Sequence, residues 1–194
     1  MKVAVILGST RKVRRGARVA TWLMAQLAQY KDASFELLDL RDYPLPFYAE
    51  DDSPDSLEGR YSTDVATKWA AKIGEADGFI VIASEYNHGP TAVLKNALDY
   101  VYNEWNKKPV AFVGYATGSS GAMRAIEQLR TITLELQMAP MHEALHITNV
   151  LDTIDEHGSL LKGHADKKLK AVIEELLWWA EALKVARDKS KYKE

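Results

Sequence analysis

The chain has 194 residues, 47% apolar and 27% charged, the composition of a water-soluble globular protein with room for a substantial core, as one domain or at most two small ones. Twenty-five Lys and Arg against 27 Asp and Glu leave a formal charge of -2, so no overall basic field draws in nucleic acid or an anionic membrane surface, and any anion site must be local. With no cysteine, thiolate catalysis, disulfides, thiolate-bound zinc and cysteine-held iron–sulfur clusters are excluded, which accords with a reducing cytoplasm.

Residues 2–8, KVAVILG, are apolar on both alternating faces, which predicts a strand covered above and below in a parallel sheet. The same run is at the short edge for a signal peptide and lacks a small-residue cleavage pattern after it. The loop GSTRKVRRGAR follows (8–18), and then Val19, Trp22, Leu23, Leu27 and Tyr30 recur at helical spacing. SFELLDL (34–40) is mixed in polarity and predicts a strand nearer the sheet edge. Residues 41–62 have no period. Loops beyond about 12–15 residues are often functional or interfacial, so this one either covers a site or meets a partner, or is a solvated acidic loop, at least in AEDDSPDS.

A second helical stripe runs through Val65, Ala66, Trp69, Ala70 and Ile73, followed by a buried strand, GFIVIA, at 78–83. The loop SEYNHGPT precedes a third stripe of Val93, Leu94, Ala97, Leu98 and Val101. PVAFVGY (109–115) is another buried strand, ATGSSGAM (116–123) a loop, and Ala122, Ala125, Ile126, Leu129, Ile132 and Leu136 a fourth stripe. APMHEALHIT (139–148) reads as an edge strand and 149–163 lacks a period. A long last helix carries Leu169, Val172, Ile173, Leu176, Leu177, Ala180 and Leu183, with a Lys-rich end expected to fray. Trp178 and Trp179 are adjacent on it and cannot both face inward, so one ring either marks a contact surface or covers a neighbouring helix.

Five strands alternating with five helices predict a doubly wound α/β sheet with helices on both faces and right-handed crossovers, formed by a single domain over residues 1–194. Ligands of such sheets bind beyond the carboxyl ends of the strands, where the winding reverses. In the first of these loops Ser9 and Thr10 offer hydroxyls. Gly8 and Gly16 allow a tight path, and a helix starting near Gly16 would aim unpaired amides at the loop. Arginines at 11, 14, 15 and 18 supply forked donors, though not all need serve. Neither a P-loop nor a G-x-G-x-x-G pattern is present, which leaves a cradle for a terminal, mononucleotide-like phosphate.

If the strand order is 2-1-3-4-5, the reversal falls between strands one and three, the flavodoxin-like arrangement with FMN at that point. The loop at 84–91 is then the neighbour of the first. Gly89 would let backbone approach a flat ring, Pro90 suits a first helical position, and amides there could stabilise negative charge on a reduced ring. The bland reading is a simple turn of Asn, Gly and Pro; likewise Gly, Ser and Thr at 117–119 are ordinary loop residues.

GSTR with RRGARVA, EYNHG followed by LKNALDY, and GSSGAMRAIEQLR stand in an order and spacing that resemble the NAD(P)H-dependent FMN reductases, with their azoreductase, quinone reductase and chromate reductase relatives, over most of residues 1–148. Ser84 stands where Pro is common in that family, and Pro90 where another aromatic or small residue is common. The resemblance implies that Ser9 and Arg11 hold an FMN phosphate with help from Arg15, Gly16 and Ala17. Glu85, Tyr86, Asn87, His88 and Gly89 would line the isoalloxazine largely through backbone, and Thr117, Gly118 and Ser119 would meet its other edge. It implies a cytoplasmic homodimer or homotetramer that takes hydride from NADPH or NADH and passes it to a small acceptor: free flavin, a quinone, an azo compound or a metal oxyanion. No nucleic-acid partner, membrane insertion, metal site or catalytic side chain is expected, and His88 reads as a hydrogen-bonding or structural residue rather than an acid. Two alternatives stay open: a flavodoxin-type electron carrier, whose usual Thr-x-Thr-Gly-x-Thr loop is missing, and a flavin-free regulatory domain that kept the fold.

Overall fold

The computed structural model describes residues 1–57 and 59–190; the fraying expected of the Lys-rich end from residue 191 onward lies outside the described residues. Strands β1 (Lys2–Leu7), β3 (Gly78–Ser84) and β4 (Pro109–Tyr115) are buried at every position except Lys2. Their unbroken apolar runs are what a strand covered on both faces requires. β2 (Ser34–Asp39) and β5 (Ala139–Ile147) mix exposed with buried positions and flank the other three. All four pairings are parallel and the order is β2-β1-β3-β4-β5, so the winding reverses between β1 and β3.

Helices α1 (Gly16–Leu27) and α6 (Ala165–Lys189) cover one face; α2 (Asp64–Glu75), α3 (Ala92–Asp99) and α4 (Met123–Glu135) cover the other. On the first face Trp22, Leu23 and Leu27 meet Val5, Ile82, Val113, Ile173 and Leu176. On the second, Trp69, Leu98 and Leu129 pack over Ile6, Phe79 and Phe112. Two buried indoles there keep a partner for the N–H: Trp69 donates to the Ala97 carbonyl (2.8 Å) and Trp105 to that of Leu98 (3.1 Å).

The aperiodic segments have structure that no periodicity could reveal. Residues 149–163 contain a one-turn helix, α5 (Val150–Thr153), and a bridge between Ile154 and Leu160, both too short to repeat. The 41–62 loop divides. Its first part lies on α2 and α3, with the Tyr43 ring 5.1 Å from Trp69 and that of Tyr48 5.3 Å from Tyr100, while Asp51, Asp52 and Asp55 are exposed. Neither ring of the Trp pair faces inward: Trp178 is 64% and Trp179 37% exposed, edge to face with each other.

Candidate functional site

The three loops predicted to matter leave the carboxyl ends of β1, β3 and β4. The chain leaves β1 through Gly8, whose amide bonds the Ile82 carbonyl (3.1 Å) and whose carbonyl accepts the buried Thr91 hydroxyl (2.6 Å). A Cβ at Gly8 would lie 2.9 Å from the Ile82 oxygen, so the close approach of β1 to β3 requires glycine. Thr91 also accepts the Leu94 amide (3.2 Å), which makes it the N-cap of α3. Pro90, expected as a first helical residue, therefore precedes the cap, because the hydroxyl of Thr91 satisfies an orphan amide that Pro cannot.

The four arginines of the first loop separate into two kinds. Arg14 forks onto both oxygens of Asp39 and reaches the Ser9 carbonyl (2.9 Å); Arg18 donates to the Ile154 carbonyl (2.8 Å). Burial alone would raise the Asp39 carboxyl, but the Arg14 bonds, the Arg41 amide and both guanidinium charges outweigh it and hold it below the usual value. Arg11 and Arg15 are exposed and make no ion pair or side-chain hydrogen bond among the described residues. The amides of Thr10 and Arg11 donate to no other group there either, and Arg15, the N-cap of α1, provides no side-chain cap for the first turn. Free guanidiniums, free amides and an uncapped helix start thus share one loop, the donor set that a phosphate dianion needs.

Ser9 and Gly16 close this loop on the sheet. Ser9 is buried, and a Cβ on Gly16 would meet the Tyr115 hydroxyl at 2.6 Å and Leu7 Cδ1 at 2.9 Å, so glycine is needed for close packing rather than for an unusual φ. Burial raises the Tyr115 phenol above its ordinary pKa, with Ser84, Ser9 and the Gly16 amide around it pulling the other way.

The loop after β3 is a two-residue hairpin. Tyr86 and Gly89 exchange both backbone bonds (2.9 and 3.0 Å), and the corners, Asn87 and His88, have φ of 49° and 73°. Both corners are left-handed, as a primed turn demands, yet neither is glycine. Gly89, expected to admit a ring, instead faces Gln128, whose Oε1 would lie 3.1 Å from a Cβ there. The amides of Asn87 and His88 donate to no other group among the described residues. Glu85 turns its buried carboxylate onto the start of α4, accepting the Arg124 amide (3.2 Å) and pairing with the Arg124 guanidinium. Burial would raise this carboxyl; Arg124 and the α4 amides lower it below its usual value. Of this stretch only backbone, Tyr86 and the corner residues remain open to a ligand.

In the loop after β4, Thr117, Gly118 and Ser119 are exposed, with open space around a Cβ at Gly118. The loop is strapped from behind, where the Ala116 and Gly118 carbonyls accept the Val150 and Asn149 amides (both 2.9 Å).

A cleft of about 480 Å³ brings Ser9, Thr10 and Arg11 together with Tyr86, Thr91 and the Leu45–Phe47 segment. Thr117, Gly118 and Ser119 do not line it, nor do Glu85 and His88. The sequence reading missed Thr91, Asn96, Arg124 and Gln128. A Thr just before a helical stripe was a signal for the first; nothing local marked the others. Asn96 pins the cleft wall, accepting the Tyr48 amide (3.1 Å) and donating to the Pro46 carbonyl (2.8 Å), which leaves Phe47 79% exposed on a held backbone. A larger hollow, about 540 Å³ between the end of β5 and the start of α6, is lined by none of the predicted site residues. Of the predicted site residues the smaller cleft is lined by Ser9, Arg11 and Tyr86, while Arg15, Gly16, Ala17, Asn87 and Gly89 lie outside its lining.

A family described as NADPH-dependent FMN reductase matches residues 1–152. An NAD(P)H-dependent FMN reductase of Schizosaccharomyces pombe is 36% identical over 146 residues, 74% of this chain and 72% of that one. A 2-hydroxy-1,4-benzoquinone reductase of a Burkholderia species is 30% identical over 185 residues, 92% and 96% of the two chains. Among solved structures, the NAD(P)H:(acceptor) oxidoreductase FerB of Paracoccus denitrificans superposes with a TM-score of 0.73 at 24% identity, over 94% of this chain and 97% of its own, a likeness of fold.

Proposed function

The chain belongs to the NADPH-dependent FMN reductase family, a flavin oxidoreductase family, and from that premise we propose which of its residues hold the cofactor and which acceptors it serves. FMN held there would supply the redox chemistry, hydride transfer from NAD(P)H and reduction of a second substrate, while the protein supplies orientation and electrostatics. The electron-carrier and flavin-free readings give way to this one.

Arg11 and Arg15 bind the phosphate with the Ser9 hydroxyl and the amides at Gly16 and Ala17. The observation that carries this assignment is that these two guanidiniums stand unpaired beside an uncapped helix start while Arg14 and Arg18 are engaged elsewhere. The hairpin from Glu85 to Gly89 supports the isoalloxazine through backbone, its free amides at Asn87 and His88 serving as donors, and Thr117, Gly118 and Ser119 border the other edge. No side chain acts as a general base. The apolar wall of Leu45, Pro46 and Phe47 favours flat organic acceptors, quinones, azo compounds or free flavin, over metal oxyanions.

Residues 1–194 act as one FMN-binding domain in the cytoplasm, where NAD(P)H is regenerated, and the exposed rings of Phe47, Trp178 and Trp179 supply surface for a homodimer or homotetramer. Among the described residues no helix is long and apolar enough to cross a membrane. Light scattering at micromolar concentration tests the assembly; a monomer rejects it. The test of function is the absorbance of the FMN-loaded protein under anaerobic conditions. Flavin absorbance should fall on adding NADPH or NADH alone and return on adding a quinone; a protein that does not take up FMN rejects the site.

A further inference from the structure

Non-glycine residues at φ of 49° and 73° cost free energy, more for His than for Asn, and persist only where the surroundings hold them. The Tyr86–Gly89 backbone pair closes the Asn87–His88 turn, and the side chains that grip its corner come from one turn of α4. The Arg124 guanidinium lies 2.8 Å from His88 Nε2, the Gln128 amide donates to the His88 carbonyl (2.7 Å), and Glu85, just before the hairpin, accepts the Arg124 amide while pairing with its side chain. Arg124 thus grips the hairpin at its base and at its corner. It is also the second residue of the helix that the loop at 117–122 runs into, so both ring-side loops are referred to the same residue.

We infer that Arg124 is the positioning residue of the flavin site, holding the left-handed hairpin so that the two free amides of Asn87 and His88 face the ring. This rests on the reading that the hairpin supports the isoalloxazine. The guanidinium has only donors, so His88 Nε2 supplies the lone pair and the ring proton sits on Nδ1. Donors fixed toward the ring favour the form that carries more electron density, so the clamp should affect the cofactor's potential as well as its affinity.

The test compares wild type with Arg124→Gln and Arg124→Lys in three measurements: FMN dissociation constant, hydrogen exchange of residues 86–89, and the two-electron midpoint potential of bound FMN. Losing the clamp should weaken FMN binding about ten-fold, the equivalent of one charge-assisted hydrogen bond. It should also accelerate exchange at 86–89 and move the potential to a more negative value, with Lys recovering part of each change. Arg124→Gln with unaltered affinity and potential overturns the inference, as does a loss of melting temperature alone, which is the signature of a merely structural bond. If Arg124→Gln does not fold, Gln128→Ala removes only the bond to the His88 carbonyl and must shift exchange and potential in the same direction; no shift overturns the inference. Failure of the underlying reading is distinct: adding FMN to wild type would then leave exchange at 86–89 unchanged, which removes the ring from this hairpin and the role of Arg124 with it.

Discussion

Arg11 and Arg15 differ from Arg14 and Arg18 only in what surrounds them, and that difference assigns their work. Arg14 holds the end of β2 through Asp39, and Arg18 holds the chain at Ile154. Replacing Arg11 with Ala should leave the fold intact and weaken FMN binding by about 1.5–3 kcal/mol, the worth of a hydrogen bond to a charged group. Isothermal titration checks this, and unchanged affinity would put the phosphate elsewhere. Gly16 makes the opposite case, a residue whose value is the side chain it lacks. Gly16→Ala would press a methyl against the Tyr115 hydroxyl and Leu7, costing about 1–3 kcal/mol of stability by overpacking. Adding Tyr115→Phe, which removes the oxygen, should restore part of the lost melting temperature. No recovery would show that Leu7 is the obstacle.

At the scale of elements, the loops owe their shapes to the helices beside them. The Leu45–Tyr48 segment has no regular structure of its own, and its place over the cleft is set by Asn96 on α3. Asn96→Ala should cost about 1–3 kcal/mol, a net hydrogen bond or two, in urea denaturation. Exchange should quicken at 45–48 and not at 86–89, since the hairpin is tied to α4 instead; equal acceleration in both would refute that separation. The helix stripes and buried strands were legible because they repeat with a period. The bonds from Asn96, Arg124 and Gln128 were not, since each joins residues about 35 to 50 positions apart with no local pattern.

Across the whole molecule, the amino-terminal end of the central strands, opposite the cleft, is knotted at Asp77. Its carboxylate, 9% exposed, accepts the Lys2 amide (2.9 Å), the Lys184 ammonium (2.6 Å) and, at 3.4 Å, Arg187, joining β1, the entrance of β3 and the end of α6. Burial alone would raise this carboxyl, yet the Lys184 bond, the Lys2 amide and the two cationic charges bring it below the usual value. A carboxyl with a lowered folded-state pKa adds stability above its unfolded pKa of about 3.9 and loses it as pH falls through the folded value. Asp77→Asn should therefore cost about 1–3 kcal/mol at neutral pH. The gap from wild type should close as acid protonates Asp77. A gap that does not narrow at all as pH falls below the ordinary carboxylate range would mean that shape rather than charge holds the knot.

The strands, the helices and the loops at the strands' carboxyl ends were legible in the chain, because alternation of polarity is written locally; the order β2-β1-β3-β4-β5 entered as a condition that the structure then met. The sequence also carried the family, through GSTR, EYNHG and GSSGAM. It took the folded chain to show which arginines are free, that the special backbone lies at Asn87 and His88 rather than Gly89, and that Thr91 caps α3 with Pro90 outside it. Those outcomes depend on which distant groups already satisfy a charge, an amide or a carbonyl, and such pairing exists only once the chain has folded.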